Sequence, residues 1–477
     1  MTTTYRDLRD WLLMVDEMGE LRHLNNVGWQ EDMGRIAEML AHTDEAPAVL
    51  FDNIPDYPPG YRLLIHGNGA RRRLAFTLGL PTDIGREALM TRFLDMVNAI
   101  QPLPVEEVTS GPILENVLTE DEVNLWQFPA PKWHQEDGGR YLGTGCLDIT
   151  KDPDSDWVNI GTYRIMIHDE KRAGFYISPG KHGRLHRDKY FARNEPCPVV
   201  VVVGGDPLLF IASTLEVPLG VSEYEWAGSL RGRPYQVIRG RYTGLPIPAD
   251  AEVALEGFAY PNETLLEGPF GEWTGYYASA SRQEPVIHVK AVYHRNDPIV
   301  LGCPPQKPPY EAHRYRVYLR SALLRRALEQ AGVPDVVGAW CHEAGGCRLL
   351  NVVAIKQRYP GHARQAGHIA SQCRVGAYLG RIVIVVDEDI DPSDLNDVMW
   401  AVCTRSDPSR SLDIINRAWS GPLDPAIRPG DKGFNSRLII DACKPWEWLE
   451  EFPPAIGPSP EYRRETRDKW GWILRGG

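Results

Sequence analysis

The chain of 477 residues lacks the features that mark membrane, secreted and nucleic-acid-binding proteins. Its longest apolar runs, such as the valines at 199–203, are too short to cross a bilayer. No basic segment followed by an apolar one opens the chain, so no signal peptide is predicted. The net charge of −12 disfavours nucleic acid and anionic membranes as partners. A cytoplasmic protein that binds neither is expected.

Motifs of several common site types are also missing. The eight cysteines are scattered and form no CxxC pair, so reduced, buried thiols are expected. Cys341, His342 and Cys347 lie close together, but no second ligand pair follows at zinc-finger spacing. There is no P-loop and no GxSxG, and the GNG at 67–69 is only half of a dinucleotide fingerprint.

The order of predicted elements divides the chain into four parts. Residues 1–112 predict a small α/β domain, and residues 306–457 alternate helix and strand as in a second α/β domain. Between them, residues 113–305 carry many short strand-like runs with few helices, which favours a β-barrel. Residues 458–477 predict a terminal helix behind a proline-rich segment. Its two tryptophans must pack on something, and a partner subunit is a reasonable candidate.

Individual elements follow from apolar periodicity and from the placing of glycine and proline. The predicted helices cover residues 5–21, 33–41, 312–331, 362–379, 395–404 and 461–474. The predicted strands cover residues 48–52, 62–66, 159–167, 199–203, 234–239, 252–259, 285–294, 349–355, 382–386 and 437–441.

The stretch LEGPFGE at 266–272 places Glu267 and Glu272 five residues apart across a turn. Proline fixes φ and glycine permits positive φ, so the turn can hold both carboxylates at defined angles. Preorganised acids are what proton transfer requires. Taken alone, the stretch fits a tight turn with two surface acids equally well.

A second set of polar residues is spread over the barrel region. Asn159, His182 and Glu223 offer an amide oxygen, an imidazole and a carboxylate. Such a set could ligate Mn²⁺ or Mg²⁺, with phosphate oxygens completing an octahedron. Arg164 adds a guanidinium group in the same region. Taken singly, Asn159 could equally be a helix-capping residue, His182 a surface histidine and Glu223 a solvated glutamate.

Together these stretches resemble the UbiD family of decarboxylases, and the resemblance covers almost the whole chain. Its motifs occur in order as NIGTYR at 159–164, PGKH at 179–182, GGDP at 204–207, residues 267–275, KQRYPGH at 356–362, DEDID at 387–391 and residues 396–405. The resemblance implies a central split β-barrel of the FMN-binding type between two α/β parts. It also implies prenylated FMN, made by a partner flavin prenyltransferase, and reversible, non-oxidative decarboxylation of an aromatic, heteroaromatic or α,β-unsaturated carboxylic acid.

The resemblance also implies roles for individual residues. The divalent metal, Mn²⁺ or Mg²⁺, would bind to Asn159, His182 and Glu223 and grip the cofactor phosphate. The cofactor itself would be held by Thr162, Tyr163, Arg164, Lys181, His182 and Arg374. A potassium ion (K⁺) is implied beside Ala212, Ser213, Leu215 and Glu223. The catalytic network would consist of Glu272, Arg164 and Glu267.

Each catalytic role is physically consistent. Arg164 can hold a substrate carboxylate with its bidentate fork. Glu272 is expected to donate the proton to carbon, and Glu267 to tune Arg164. Two carboxylates that share one arginine should have pKa values pushed apart, which keeps one of them protonated near neutral pH.

Other positions leave alternatives open. By analogy with the family, Lys181 and Trp273 should lie near the substrate. Lys181 could pair there with a polar substituent or a second carboxylate of the substrate. Equally, it could point at the cofactor phosphate or at solvent. QKP at 306–308 stands where many relatives carry an acidic residue before proline, and 419–423 matches a pocket-lining segment. The active site is expected between the barrel and the C-terminal domain.

The assembly and two rival functions complete the expectations. A homodimer or homohexamer is predicted, with a possible small accessory subunit. One alternative function is a flavin-dependent oxidoreductase, because split barrels also bind FMN. The other is a non-catalytic, cofactor-carrying subunit of a multi-component decarboxylase or carboxylase. Retention of Glu267, Arg164 and Glu272 together argues against a carrier, which has no use for a proton donor.

Overall fold

The computed structural model describes residues 3–277, 279–457 and 460–474. Helices and strands are mixed along the whole chain. The helices are α1 (Leu8–Glu17), α2 (Asp32–Ala41), α3 (Arg71–Thr77), α4 (Arg86–Asn98), α5 (His182–Ala192), α6 (Pro207–Ser213), α7 (Glu223–Arg231), α8 (Glu311–Gln330), α9 (His362–Gln372), α10 (Arg374–Ala377), α11 (Leu395–Arg405) and α12 (Pro460–Trp470).

The strands form four sheets. They are β1 (Leu21–Asn25), β2 (Ala48–Asp52), β3 (Arg62–Ile65), β4 (Glu106–Glu107), β5 (Asn116–Thr119), β6 (Arg140–Gly143), β7 (Cys146–Lys151), β8 (Val158–Gly161), β9 (Ile165–Ile167), β10 (Arg172–Gly174), β11 (Cys197–Val203), β12 (Gln236–Arg239), β13 (Pro246–Pro248), β14 (Val253–Glu267), β15 (Arg282–His294), β16 (Ile299–Gly302), β17 (Val336–Cys341), β18 (Leu350–Ile355), β19 (Ile382–Asp387), β20 (Leu412–Trp419) and β21 (Phe434–Ala442).

The largest sheet has nine strands and forms a half-barrel. Its order is β6-β9-β10-β15-β14-β11-β7-β8, and β5 pairs with β15 at the side of this path. The long hairpin of β14 and β15 is interrupted by register shifts, which let a sheet bend. The predicted mixed α/β class and the strand-rich centre are confirmed.

The smaller sheets connect parts that the sequence analysis separated. β16 pairs with β3 in a four-stranded sheet of the N-terminal part, and β4 pairs with β12 in a three-stranded sheet. Both pairings cross the predicted division at residue 112. The division at 112, 305 and 457 therefore stays a prediction about folding units.

Three α-helices lie among the described residues between 113 and 305, where the sequence analysis predicts few helices and names none. α5, α6 and α7 are inserted between the strands of the half-barrel. They begin or end at polar residues singled out from the sequence: His182 opens α5, Ser213 closes α6 and Glu223 opens α7. The helices therefore bring these side chains to one side of the sheet.

The C-terminal part contains a five-stranded sheet in the order β17-β18-β19-β21-β20. Its three central strands are parallel and its two outer strands antiparallel. The valines and isoleucines of β18 and β19 are almost all buried, as a parallel strand covered on both faces requires. α8 and α9 pack against this sheet.

The predicted terminal helix is present as α12, followed by a 3-10 turn at Gly471–Leu474. Its predicted range of 458–477 includes residues 458, 459 and 475–477, which lie outside the described residues. Large apolar side chains in this segment are exposed, among them Trp472 at 64% and Leu474 at 88%. Among the described helices, none is long and apolar enough to cross a membrane.

Candidate active site

A cavity of about 380 Å³ lies between the half-barrel and the C-terminal part. Its lining comes from two stretches of chain, residues 144–273 and 303–423. The predicted site residues that line it are Asn159, Thr162, Tyr163, Arg164, Lys181, His182, Ser213, Leu215, Glu223, Glu272 and Arg374. Glu267 lies buried behind Arg164, and Ala212 is buried within α6.

Arg164 is held between the two carboxylates of the 266–272 turn. Its Nε and Nη2 donate to Glu267 at 2.9 and 2.7 Å, and its Nη1 donates to Glu272. All three side chains are at least 90% buried. The ring of Tyr176 covers the guanidinium face, with its centroid 4.4 Å from Cζ. The geometry is a buried, bidentate ion pair with a second acid on the remaining edge of the arginine.

Arg164 is positioned by a break in the sheet. The strand predicted at 159–167 is two strands, β8 and β9, separated by residues 162–164. The Tyr163 N–H donates to Asp148 at 2.8 Å, and the Thr162 hydroxyl donates to the Cys146 carbonyl at 3.1 Å. These bonds replace the missing ladder contacts and hold the break open toward the cavity.

The two glutamates are fixed by the loop between β14 and β15. Glu267 is the last residue of β14, and it also accepts a hydrogen bond from the Tyr141 hydroxyl at 3.2 Å. The Glu272 N–H donates to the Tyr276 carbonyl at 3.0 Å, and the Glu272 carbonyl accepts from the Gly275 N–H at 2.8 Å. The turn thus holds both acids at defined positions, as its sequence predicts.

Burial sets the proton affinity of the network. The pKa of Glu272 is raised by burial and by the charge of Glu267, against the opposing charge of Arg164. The pKa of Arg164 is raised by Glu272 and Glu267, although burial opposes this. Glu272 therefore retains its proton to higher pH than a solvated glutamate does, and Arg164 stays charged.

The predicted metal ligands lie next to one another at helix and strand ends. Glu223 accepts the N–H of Ile160 at 2.7 Å, and Ile160 follows Asn159 in β8. His182 stands at the start of α5, with its ring 5.0 Å from that of Trp157. Within the described part of the chain, no group of three or more His, Cys, Asp or Glu side chains could hold a metal.

The donor set nevertheless fits a divalent cation when the amide is counted. The Glu223 carboxylate is buried, and burial raises its pKa to about 8. Burial and the charge of Arg374 lower the pKa of His182 to about 4, so its imidazole is neutral. Asn159 lines the same cavity, where its amide oxygen can act as a ligand. A carboxylate, a neutral imidazole and an amide suit Mn²⁺ or Mg²⁺.

Three family profiles match the chain in sequence order. The UbiD N-terminal domain matches residues 12–93, and the Rift-related domain of 3-octaprenyl-4-hydroxybenzoate carboxy-lyase matches residues 106–308. The C-terminal domain of the same family matches residues 315–442. The chain belongs to the UbiD family. The resemblance found in the sequence motifs is confirmed.

Two UbiD relatives show how far the similarity extends. The chain is 33% identical to a phenolic acid decarboxylase of Bacillus subtilis, with 92% of this chain and 93% of the relative covered. It is 31% identical to a pyrrole-2-carboxylic acid decarboxylase of Pseudomonas aeruginosa, with 98% of each covered.

The fold matches a solved UbiD-class structure over nearly the full length. HmfF from Pelotomaculum thermopropionicum, in complex with FMN, superposes with a TM-score of 0.84 at 26% identity, covering 98% of this chain and 100% of HmfF. An evolved dimeric form of HmfF in complex with prFMN has a TM-score of 0.81 at 26% identity, covering 96% and 98%.

The cavity of this UbiD protein also fits a flavin. Aromatic rings line it, and Arg374 brings a cation near His182, where a phosphate would meet the metal set. Lys181 caps the start of α5, and burial together with the charge of Arg348 lowers its pKa to about 7. Its Nζ lies 5.2 Å from the centroid of the Tyr378 ring, so Lys181 points into the cavity.

The predicted potassium residues are brought together only in part. Ser213 and Leu215 line the cavity together with Glu223, and the Ser213 hydroxyl lies 2.7 Å from that of Thr162. The Ala212 carbonyl accepts the N–H of Leu215 at 3.1 Å. The potassium site stays a prediction.

Several cavity residues were not found from the sequence. Glu216, Tyr310, Arg316 and Arg348 line the cavity, and the last three come from the C-terminal part. The helix predicted at 312–331 is rich in arginine, but nothing in the sequence pattern shows which arginine faces a pocket. Trp273 and the segment 419–423 reach the cavity as expected, through Trp419 and Leu423.

Proposed function

We propose that this chain is a carboxy-lyase that releases CO₂ from an aromatic, heteroaromatic or α,β-unsaturated carboxylic acid, with prenylated FMN as cofactor. Membership of the UbiD family and similarity to decarboxylases of phenolic and pyrrole-2-carboxylic acids support the reaction class. The observation that carries the proposal is the buried Glu267–Arg164–Glu272 network in the cavity wall. It combines a carboxylate-binding cation with an acid of raised pKa.

Arg164 would bind the substrate carboxylate through its Nη1 edge. Glu267 occupies the Nε and Nη2 edge, so Nη1, which now faces Glu272, is the donor that can be released. A protonated Glu272 accepts hydrogen bonds from a guanidinium group more weakly than a carboxylate does. The raised pKa of Glu272 therefore makes Nη1 available to substrate.

Glu272 would then deliver its proton to the carbon that loses CO₂. The overall change is RCOO⁻ + H⁺ → RH + CO₂, so one proton must reach carbon for each CO₂ that leaves. Glu267 would keep Arg164 oriented while the substrate carboxylate departs. Bound prenylated FMN supplies the electron sink that side chains cannot provide.

The metal and potassium assignments are part of the proposal. Asn159, His182 and Glu223 would hold Mn²⁺ or Mg²⁺ against the cofactor phosphate, and Arg374 would contact the same phosphate. Thr162, Tyr163 and Lys181 would line the flavin. K⁺ beside Ser213 and Glu223 would add a second cation, for which the geometry gives less support.

Assembly and supply remain proposals as well. A flavin prenyltransferase would provide the cofactor. The exposed apolar side chains of α12 and the turn after it would form a contact between copies, giving a homodimer or homohexamer. The predicted small accessory subunit and the cytoplasmic location are not tested by the fold. Neither rival function is favoured: the relatives are decarboxylases, and a carrier has no use for Glu272.

CO₂ release tests the reaction class. The protein would be expressed with and without a flavin prenyltransferase and offered hydroxybenzoates, cinnamates, heteroaromatic carboxylates and fused-ring acids. Release from at least one acid, only in the co-expressed protein, is expected. Release that is independent of the prenyltransferase, or bound prenylated FMN with no release from any acid, would contradict the proposal.

A further inference from the structure

A second group of charged side chains surrounds the cavity, and its arginines have no part in the chemistry proposed above. Arg316 of α8 and Arg348, two residues before β18, both line the cavity. Arg320 lies one helical turn beyond Arg316 and is buried. Lys181 also lines the cavity, with its Nζ near the Tyr378 ring that the Arg348 guanidinium approaches at 5.4 Å.

The negative charge in this group is too small to balance it. Within the described residues, the ion pairs of these guanidinium groups reach a single carboxylate, Glu216. One Glu216 oxygen accepts both the Arg320 Nη1 and the Arg348 Nη2, the latter at 2.7 Å. Its other oxygen is buried without a partner. One carboxylate thus faces three guanidinium groups.

Among the three guanidinium groups, Arg316 is the one that forms no ion pair with a carboxylate of the described residues. Its Nε is buried and has no hydrogen-bond partner in the described part of the chain. No ion pair between described residues includes it, whereas Arg320 and Arg348 are both paired with Glu216. Burying a charged group without a partner is costly, so an anion that binds in the cavity is the natural partner of Arg316.

The position of Arg316 favours the reacting ring over the cofactor phosphate. Trp273, the neighbour of Glu272, packs against Gly346 and against the His313 ring, whose centroid lies 6.1 Å away. Gly346 is two residues from Arg348, and His313 is one helical turn from Arg316. The phosphate site proposed above lies instead beside His182 and Arg374. The two arginines therefore approach the cavity next to the proton donor.

We propose that Arg316 and Arg348 form an anion subsite, and that the substrate is an aromatic acid carrying a second carboxylate on its ring. The inference rests on the function proposed above. Guanidinium groups bind carboxylates through two parallel hydrogen bonds, which a neutral ring substituent cannot match. The carboxylate on Arg164 is the one lost as CO₂, and the one in the subsite stays on the product and fixes the orientation of the ring.

Ligand binding tests the subsite without any turnover. The full-length chain, incubated with excess FMN, would be titrated in a calorimeter with benzene-1,3- and benzene-1,4-dicarboxylate. Each is compared with the carbamoylbenzoate of the same geometry, in which a neutral amide replaces one carboxylate. At least one dicarboxylate should bind about tenfold tighter than the carbamoylbenzoate of the same geometry. A tenfold difference in affinity corresponds to the low end of the free energy that one charge-assisted hydrogen bond contributes.

Three variants separate the subsite from general effects. Arg316→Gln should reduce the preference for the dicarboxylate over its amide to below about threefold. Arg316→Lys should retain part of this preference, because lysine keeps the positive charge but not the bidentate guanidinium group. Arg325→Gln removes an exposed arginine of the same helix that pairs with Glu329. It should leave the preference unchanged. Melting temperatures matching the wild type establish that the variants are folded.

Two results would overturn the subsite. One is a wild-type protein that binds dicarboxylates no tighter than their amides. The other is a preference that survives in Arg316→Gln while FMN affinity falls, which would assign Arg316 to the cofactor. Because no step requires decarboxylation, loss of the subsite and failure of the proposed reaction remain separate outcomes. A dicarboxylate preference without CO₂ release leaves the subsite standing, and CO₂ release without the preference removes only the subsite.

Discussion

At the scale of single residues, the proposed mechanism depends on how Glu272 and Glu267 share the hydrogen-bond donors of Arg164. Glu267 takes two of the three donor positions of Arg164 and is held in turn by Tyr141. Glu272 takes the third, on the side open to the cavity. Burial raises the pKa of Glu272. In the proposed mechanism, this asymmetry makes Glu267 a positioning residue and Glu272 the acid.

Replacing Glu272 by glutamine should abolish proton delivery and leave the cofactor site intact. The turnover number is expected to fall by about 100-fold or more, the lower range for loss of a general acid. Flavin content should be unchanged. Glu263→Gln is the matched control, since Glu263 lies on β14, is exposed and pairs only with His288 among the described residues. Wild-type turnover in Glu272→Gln would refute the donor assignment.

The carboxyl group of Asp148 should make stability depend on pH. Burial raises its pKa from 3.8 to about 7 in the folded protein. Folding therefore favours the protonated form, and stability is lost as pH rises from 3.8 toward 7. Asp148→Asn keeps an acceptor for the Tyr163 N–H. Because asparagine does not titrate, the substitution removes the pH-dependent loss of stability.

Thermal melts between about pH 5 and pH 8 check the Asp148 prediction. The fall in melting temperature across this range should be smaller in Asp148→Asn by at least about 2 °C. Equal falls in the two proteins would show that Asp148 does not titrate as its burial requires.

At the scale of elements, regular strands and helices followed from the sequence, but the breaks in them did not. The strand at 48–52 is found as predicted, and the helix at 312–331 lies within one residue of α8. The strand at 159–167 and the helix at 362–379 are each interrupted, at residues 162–164 and at Cys373. Tertiary contacts flank both breaks: the Tyr163 N–H donates to Asp148, and Arg437 and Arg320 donate to backbone carbonyls on either side of Cys373. Apolar periodicity cannot register them.

The same limit applies to the site. The acids of the 266–272 turn could be recognised because glycine and proline mark the loop that holds them. Arg316 and Arg348 could not, because their role depends on which face of α8 meets the half-barrel. That packing joins residues far apart in sequence and leaves no local pattern.

The loop after Glu272 gives a test at this scale. Gly275 has a φ of +82°, and a Cβ there would lie 2.9 Å from the Lys307 Cα. Gly332 has a φ of +84° with nothing within 4 Å of its Cβ position. Gly332→Ala should cost about 1 kcal/mol in unfolding free energy, the penalty for positive φ. Gly275→Ala should cost more and also lower turnover, because it displaces Glu272.

Denaturant unfolding and turnover assays on both glycine variants check the comparison. A Gly275→Ala protein with the stability of Gly332→Ala and full turnover would show that the loop does not need this close contact.

At the scale of the whole molecule, the cavity is built from two parts of the chain that meet across it. The half-barrel and its inserted helices provide Arg164, Glu272 and the proposed metal ligands, and the C-terminal part provides Tyr310, Arg316, Arg348 and Arg374. A change in the distance between these parts would alter access to the cavity. Trp472 and Leu474 of the terminal segment lie outside this arrangement and are exposed.

Removing residues 458–477 should therefore reduce the mass of the assembly. Trp472 and Leu474 are among the most exposed large apolar side chains. Association that covers them would remove apolar surface from water. Size-exclusion chromatography with light scattering should give a smaller particle for the truncated chain than for the full chain. Trp472→Ser should weaken association in the same direction. An unchanged mass in the truncated chain would place the contact elsewhere.

The most direct test of the central claim is one turnover experiment in D₂O. The enzyme carrying prenylated FMN would act on an acid that releases CO₂, and mass spectrometry would locate the label in the product. The account predicts one deuterium at the carbon that carried the carboxylate, one CO₂ per product molecule and no consumption of a redox co-substrate. An oxidised product, or CO₂ release coupled to pyridine-nucleotide consumption, would contradict it.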